Sequence, residues 1–218
     1  MYSVQTMPSS VNPRPVRRAR SPRGQGDALR DELIAAAAAL LDETGDPDAV
    51  TVRRVASAVG VAPTALYLHF ADRAELIVAV IEERFAEFAR TIDAADPGGD
   101  PLEGLLLRGE AYVTFALEHP GHYRALFFTG YRAAAERPDL VARCQAAGAP
   151  AFLALVEAVK RCQDADRLHG DDPMPVAVGL WSLVHGYADL ARGGRRWPFV
   201  TDIATTLRSF VGAFQPAS

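Results

Sequence analysis

The segment TVRRVASAVGVAPTALYLHF, residues 51–70, constrains the fold more than any other part of this 218-residue chain. Its apolar residues follow helical spacing on both sides of Gly60, so the sequence predicts two short helices joined by a tight turn. Thr51 can cap the first helix, and Pro63 suits the first turn of the second because the N–H that proline lacks needs no partner there. Helices of about eight residues are marginal alone in water. A neighbouring helix must therefore hold the pair, as in a helix-turn-helix unit.

Helical spacing continues on both sides of this segment. The stretch that runs from Asp27, a candidate N-cap, to Gly45 is predicted to be the first helix. Asp72 and Glu75 form a capping-box-like pair that opens a longer helix, and the linker DAADPGGDP follows. No stretch alternates with period two, so we predict an all-α fold. The further predicted helices lie at about 101–118, 120–130, 138–164, 174–192 and 200–214.

Composition places the chain among ordinary globular proteins, with 49% hydrophobic and 23% charged residues. No apolar run approaches the roughly 18 residues of a membrane span, and the N-terminus lacks the apolar centre of a secretory signal. We therefore expect a cytoplasmic protein without a membrane partner. Cys144 and Cys162 are predicted to lie on one helix about 27 Å apart, too far to form a disulfide. They have no metal-ligand spacing, and we expect neither a metal nor a cofactor.

The basic residues are unevenly distributed. Residues 1–26 contain five arginines and no acidic residue, whereas the rest of the chain carries 18 basic and 27 acidic residues. A basic arm on an acidic body predicts contact with a polyanion at one end of the protein. The arm lacks apolar periodicity, so we expect it to be disordered in isolation; a merely solubilising tail is the alternative. Its candidate DNA-binding residues are Arg17, Arg18, Arg20 and Arg23.

The outward face of the second short helix is predicted to be small, hydroxylated and apolar. At about 100° per residue, Leu66 and Phe70 share one side of this helix, and Thr64 and Leu68 share the opposite side. Lys and Glu are expected on a solvent face, so this composition favours a surface that enters the DNA major groove. Thr64 can bond a phosphate or a base edge, and Leu68 can contact a thymine methyl.

These motifs together resemble the DNA-binding domain of TetR-family transcriptional regulators. The resemblance covers about residues 27–80 and depends on LRDELIAAAAALLDETG, on the segment described first and on the helix start DRAELI. Ala62 and Pro63 stand where many members have a polar N-cap and a basic residue, so we expect base reading to depend more on Arg53 and the arm. The resemblance implies that ten residues contact double-stranded DNA: Thr51, Arg53, Arg54, Pro63, Thr64, Ala65, Tyr67, Leu68, His69 and Arg73.

Some of these residues have a second interpretation that the sequence leaves open. His69 is also compatible with a partly buried histidine, and Leu68 with packing on its own protein. Arg53 and Arg54 are also compatible with an ordinary solvated face.

The chain is expected to have three parts: the basic arm at 1–26 and, as the resemblance implies, a three-helix helix-turn-helix domain at 27–75 and a larger helical ligand-binding and dimerisation domain at 76–218. The helix that starts at Asp72 is expected to belong to both domains. In the third part WSLVHGYADLA resembles one C-terminal subclass, named for its Trp-His-Gly signature, here Trp181, His185 and Gly186. Aromatic and imidazole side chains at helical spacing either line a pocket or fill a core. The candidate ligand contacts are Tyr112, Phe115, His119, Tyr123, Phe127, Trp181 and His185.

The predicted helices at 174–192 and 200–214 combine apolar and small residues. Gly179, Gly186 and Ala188 permit close helix approach, so a four-helix homodimer interface is expected; burial within one subunit is the alternative. The apolar residues concerned are Leu180, Leu183, Val184, Tyr187, Leu190, Ile203, Leu207, Phe210 and Val211.

The sequence therefore predicts a dimeric, sequence-specific transcriptional regulator, a repressor released from a palindromic operator by an unidentified small apolar effector. The alternative is a DNA-binding regulator without such an effector, constitutive or controlled by a protein partner. An enzyme is not expected, because the chain has no Gly-rich phosphate loop, no Gly-x-Ser-x-Gly and no His-Glu-x-x-His motif.

Overall fold

A computed structural model of the chain describes residues 26–129, 136–193 and 202–216. All regular secondary structure in these residues is helical, which confirms the predicted all-α fold. A 3-10 turn at Pro47–Ala49 and a π-helical turn at Ala125–Thr129 accompany the α-helices. Within the described ranges these α-helices are α1 (Gly26–Thr44), α2 (Val52–Val59), α3 (Pro63–Leu66), α4 (Arg73–Ala94), α5 (Pro101–Glu118), α6 (Pro120–Arg124), α7 (Pro138–Asp164), α8 (Met174–Arg192) and α9 (Ile203–Gly212).

Side-chain caps fix several of the predicted helix starts. The Asp72 side chain accepts a hydrogen bond from Glu75 N at 2.9 Å, so the predicted cap of α4 is confirmed. Asp202 accepts from Thr205 N at 2.9 Å and begins α9. Asp27, predicted as the N-cap of α1, instead lies in the first turn, because the helix begins at Gly26. A carboxylate is favourable there because it faces the positive end of the helix dipole.

The first three helices pack around one small core. Leu33 and Leu41 of α1 are fully buried with Val55 of α2 and Leu66 of α3, and Phe70 closes the same core. Helices this short gain little stability alone, so burial against α1 holds α2 and α3 in place. This arrangement is the predicted helix-turn-helix.

Helix α4 belongs to both parts of the molecule. Six consecutive residues, 76–81, are buried in its first half, so no side of the helix there faces solvent. The helix packs on α1 at one end of the molecule and on α5 and α7 at the other. The predicted boundary between residues 75 and 76 therefore falls inside a continuous helix.

The last helix completes the core of its own subunit. Leu207 and Val211 of α9 are 1% and 2% exposed, so the prediction that they face a second subunit is wrong. Glycines make room for this packing, since a Cβ at Gly109 of α5 would lie 2.8 Å from Leu207 Cδ1, and one at Gly179 of α8 would lie 2.6 Å from Phe210 Cζ. Gly179 therefore serves the packing of its own subunit.

Helices α7 and α8 leave apolar side chains exposed. Helix α7 is long and apolar enough to cross a membrane by length and composition, and 11% of its most apolar window is buried. It is nevertheless tied to α4, because Arg143 Nε donates to Glu82 Oε1 at 2.7 Å. Leu153 of α7 is 59% exposed, and the exposed apolar residues of α8 are Met174, Val178, Trp181 and Leu190. We call Leu153, Met174, Val178 and Trp181 the apolar face, because helical spacing places Leu190 on a different side of α8.

Both cysteines lie on α7 and are buried and free. Burial raises the pKa of the Cys144 thiol and raises that of Cys162 to about 11. Both thiols are therefore protonated at neutral pH and pack as small apolar groups.

Helix α6 lies directly against the backbone of α1. A Cβ at Gly121 would be 2.4 Å from the carbonyl oxygen of Leu41, closer than real atoms approach. Only glycine fits between these two helices without displacing one of them. The contact sets the distance between the helix-turn-helix domain and the second part of the chain.

We expect Gly121→Ala to destabilise the protein by roughly 1–3 kcal/mol, because overpacking forces backbone shifts. Urea unfolding measures the loss. Gly212→Ala is the matched control, since it is also a helical glycine and has nothing within 4 Å of an added Cβ. Equal unfolding midpoints for the two variants would contradict the close contact between α6 and α1.

Candidate DNA-binding surface and effector cavity

The predicted DNA-facing residues of α2 and α3 lie on one accessible surface. Leu68 is 82% exposed and Tyr67 is 56% exposed, so the alternative in which Leu68 packs on its own protein is wrong. Ala65 and His69 are partly buried, and the other residues of the set are exposed. We call this the reading surface, formed by Thr51, Arg53, Arg54, Pro63, Thr64, Ala65, Tyr67, Leu68 and His69.

Local hydrogen bonds fix the angle between α2 and α3. The Thr51 side chain accepts from Arg54 N at 3.3 Å and caps α2. Gly60 ends α2 in the left-handed region at φ 78°, which glycine adopts without strain, and Val61 N donates to Ala56 O at 2.9 Å. The predicted turn chemistry is confirmed at each of these positions.

Helix α3 is shorter than the sequence predicts. Only Pro63–Leu66 is α-helical, and the chain continues in tighter turns in which Leu68 N donates to Ala65 O and His69 N donates to Leu66 O. Ala62 precedes it without a side-chain cap, so the first turn has little local support. The tighter turns direct Phe70 into the core while Tyr67 and Leu68 stay exposed.

The three arginines near the reading surface are held differently. Arg73 Nε donates to Val50 O at 2.7 Å, and Arg54 Nη1 donates to Ala49 O at 3.2 Å, so both lie against the turn before α2. Arg53 is exposed and makes no hydrogen bond or ion pair with the described residues. Arg53 therefore has the greatest freedom to reach a base edge. The arm arginines Arg17, Arg18, Arg20 and Arg23 lie outside the described residues.

A cavity of about 510 Å³ lies between α4, α5, α7 and α8. One wall is aromatic, and between Gly148 and Ala154 helix α7 contributes mainly small residues, together with Phe152. Small side chains opposite large ones leave this volume unfilled. Four predicted ligand contacts line it, namely Tyr112, Phe127, Trp181 and His185.

Tyr112 and His185 form the main polar pair inside the cavity. His185 Nδ1 lies 2.9 Å from Trp181 O, and a carbonyl can only accept, so Nδ1 carries the ring proton. The other ring nitrogen, Nε2, then accepts from the Tyr112 hydroxyl at 2.8 Å. Burial lowers the pKa of His185 and raises that of Tyr112, so both groups are neutral at pH 7.

Charged groups at one end of the cavity neutralise one another. Arg108 pairs with Asp93 and with Asp96, and Arg161 Nη2 lies 3.0 Å from Asp96 Oδ2. The Gly98 N–H, with both arginines, holds the pKa of Asp96 below its usual value. Two cations and two anions leave no net charge for a ligand at this end.

Three predicted ligand contacts do not line the cavity. Phe115 and Tyr123 are buried core residues; Phe115 packs edge-on against Phe88, with ring centroids 5.0 Å apart. The prediction is therefore wrong for Phe115, His119 and Tyr123 as wall residues, because helical spacing did not show which aromatic side chains face the cavity. The wall residues that sequence reasoning missed include Phe85, Phe88, Phe152 and Arg108.

His119 instead belongs to a cluster at the junction of α1 and α6. His122 Nδ1 lies 3.2 Å from Asp42 Oδ1, and His119 Nδ1 lies 3.9 Å from the same atom. His122 is 3% exposed, and its Nε2 lies 3.2 Å from Ala38 O. Burial lowers the pKa of His122, the Arg84 charge acts in the same direction, and Asp42 opposes both. We call Asp42, His119 and His122 the junction cluster; sequence reasoning, which expected no metal ligands, did not anticipate it.

A helix-turn-helix unit joined through one helix to a larger helical domain is typical of a DNA-binding protein. Comparison with known families is more specific. Residues 33–80 match the family described as bacterial regulatory proteins, tetR family, and residues 105–214 match the tetracyclin repressor-like C-terminal domain. The chain belongs to the TetR family of transcription regulators, whose members bind DNA through a helix-turn-helix. The finer resemblance to the Trp-His-Gly subclass stays a prediction.

Individual relatives are more distant. An uncharacterized HTH-type transcriptional regulator, Rv0681 of Mycobacterium tuberculosis, is 25% identical over 177 residues, which is 81% of this chain and 76% of that protein. The HTH-type transcriptional repressor KstR2 of the same species is 37% identical over 99 residues, 44% of this chain and 48% of KstR2. A protein with unknown function from Rhodococcus sp. RHA1 has the same fold, with a TM-score of 0.72 at 23% identity over 86% of this chain and 95% of that one.

Proposed function

We propose that the protein is a homodimeric repressor in the cytoplasm that binds a palindromic operator and leaves it when an apolar effector fills the cavity. One observation carries this proposal: α4 serves both sites. Its residues Leu76 and Ile77 lie in the core that includes the helix-turn-helix, whereas Phe85 and Phe88 line the cavity. These positions are about 12–18 Å apart along one helix, so a displacement at the cavity is passed to the reading surface.

The reading surface has the chemistry of a groove-binding surface. Tyr67 and Leu68 are apolar and exposed beside Thr64, and exposed arginines flank them. Hydroxyl and guanidinium groups bind phosphates and base edges, and an apolar side chain contacts the thymine methyl. Leu68 is exposed to water in the free protein. Its burial on DNA binding would be favoured by the hydrophobic effect.

The cavity favours an apolar effector that has at least one hydrogen-bonding group. Its volume lies in the range of small-molecule sites, and its wall is mainly aromatic and aliphatic. The neutral Tyr112–His185 pair offers a hydrogen-bonding point, while the charges of Arg108 and Asp93 compensate each other. A strongly charged ligand would find no buried counter-charge here.

Release requires that the effector prefers one position of α4 over another. A ligand shifts DNA binding only by the difference between its affinities for the two states. Filling the cavity pushes on Phe85 and Phe88 and moves the buried half of α4, so that the two reading surfaces of a dimer leave groove-compatible spacing. The name of KstR2 as a transcriptional repressor supports repression as the direction of control.

The apolar face supports dimerisation through α7 and α8. Leu153, Val178 and Trp181 are large apolar side chains that a monomer would leave in water. Gly186 of α8 has nothing within 4 Å of an added Cβ, so a helix of a second subunit can approach there. A two-fold pair presents two identical reading surfaces, which a palindrome requires at a spacing of about one duplex turn.

Arg53→Ala should relax specificity at one base position by roughly 1–3 kcal/mol, because a bidentate contact to guanine is lost. The measurement is selection of bound duplexes from random DNA, followed by titration of the selected site and its single-base variants. Arg90→Ala is the matched control, since Arg90 is an exposed arginine near the C-terminal end of α4. If Arg53→Ala discriminates between bases as the wild type does, Arg53 does not contact a base. If the selected duplexes are not palindromic, the proposal that a dimer binds the operator is contradicted.

Ala154→Phe should abolish effector binding, because the new ring occupies the cavity that Ala154 lines. A thermal-shift screen of apolar compounds with one hydrogen-bonding group measures this, since a ligand at about 100 times its Kd stabilises the folded state by about 2.7 kcal/mol. Ala142→Phe, on the exposed side of the same helix and outside the cavity wall, should keep the wild-type response. If no compound raises the wild-type melting temperature, control by a protein partner is favoured.

Leu153→Glu combined with Val178→Glu should convert the dimer to a monomer, because each charge would be buried without a partner at the interface. Sedimentation equilibrium gives the mass of each form. Leu117→Glu is the control, since Leu117 is exposed on α5 and lies outside the apolar face. A dimer that survives the double substitution would place the interface elsewhere.

A further inference from the structure

The junction cluster joins residues from the two parts of the molecule. Asp42 lies on α1 in the helix-turn-helix domain, His119 is the residue between α5 and α6, and His122 lies on α6. One ligand atom from each side chain lies within 4.8 Å of the other two. Two imidazoles and one carboxylate are a donor set that divalent transition metals prefer.

The spacing of the donor atoms fits a small metal ion. Ligands about 2.0–2.1 Å from a tetrahedral zinc ion lie about 3.3 Å from each other. The two Nδ1 atoms are 3.2 and 3.9 Å from Asp42 Oδ1, and all three donor atoms lie within 4.8 Å of one another, so side-chain movements of up to about 1.5 Å reach this geometry. His119 and Asp42 are partly exposed, which leaves a route for the ion and a position for water as a fourth ligand.

The orientation of His122 is already that of a metal ligand. Ala38 O can only accept, so Nε2 of His122 carries a proton, and Nδ1 is the ring nitrogen that faces the Asp42 carboxylate. A cation between this nitrogen and the carboxylate, either a proton or a metal ion, stabilises their close approach. A ligating histidine commonly donates its other N–H to a backbone carbonyl, as His122 does.

The backbone under the cluster is held rigidly. Gly121, next to His122, touches the carbonyl of Leu41, which precedes Asp42. Close helix packing on both sides of the cluster fixes the separation of its ligands, so the site loses little conformational entropy when it binds an ion. A rigid, partly buried site of this kind differs from a chance group of surface side chains.

We propose that Asp42, His119 and His122 bind one divalent transition-metal ion, with Zn²⁺ as the reference ion, which clamps α1 to the corner between α5 and α6. Mg²⁺ is not a competitor, because it prefers oxygen ligands in octahedral geometry. The clamp opposes any movement of the helix-turn-helix domain relative to the cavity domain.

Calorimetric titration of the full chain, without a histidine tag, with ZnCl₂ in excess MgCl₂ tests the site. One ion per chain is expected. His119→Gln and Asp42→Asn should each weaken binding by more than about 10-fold, the scale on which even outer-shell changes act. Both replaced side chains are partly exposed, so the variants should fold. His169→Gln, an exposed histidine outside the cluster, is the control and should bind like the wild type.

A second readout is thermal unfolding. Zn²⁺ should raise the melting temperature of the wild type and of His169→Gln, but not that of His119→Gln, because binding to the folded state alone stabilises it. Absence of zinc binding by the wild type, or equal binding by His119→Gln and Asp42→Asn, would overturn the proposal.

The effect on DNA rests on the proposed function and is measured separately. Operator affinity of the wild type should change when Zn²⁺ is replaced by a chelator, whereas that of His119→Gln should not. If zinc binds as expected but operator affinity does not respond, the site stands and the clamp has no role in control. If no operator is found, the proposed function fails while the calorimetric result is unaffected.

Discussion

The complete burial of the first half of α4 is the constraint on which the rest of the structure depends. A surface helix buries one stripe and leaves the other side in water, but residues 76–81 are covered all round. Helix α1 covers this segment from one side, and helices of the second part cover it from the other. Close-packed interiors change between discrete arrangements and do not deform smoothly. The reading surface and the cavity are therefore two ends of one packed unit.

The second part of the chain uses small residues in two different ways. At Gly109, Gly121 and Gly179 an atom of a neighbouring helix occupies the space that a side chain would need. The two helices can therefore pack closely. Along α7, the small side chains of Ala149, Ala151 and Ala154 line the cavity and leave volume unfilled. The same residue types thus produce contact in one place and a binding space in another, depending on the distance between the helix axes. Composition alone does not distinguish these outcomes.

Local chemistry determined which features the sequence could predict. The Thr51 cap, the Gly60 turn and the Asp72 cap involve atoms a few residues apart, so their patterns are visible in the sequence, and the all-α fold follows from them. The wall of the cavity was predicted only in part, because Phe115 and Tyr112 lie on one apolar helix and differ only in which neighbour they face. The junction cluster was missed, since Asp42 and His122 are distant in sequence and meet only after α6 packs on α1.

The contact between Gly121 and Leu41 has a consequence for the exchange of modules between related regulators. A chimera that takes residues 26–80 from another member would place a foreign α1 against α6. Any difference in the backbone path near Leu41 would meet the α6 backbone directly, because no side chain lies between them to adapt. A helix-turn-helix domain that is exchanged between regulators should therefore be transferred together with α6. Substitutions that change operator preference meet fewer packing constraints on α3 than on the face of α1 that contacts α6.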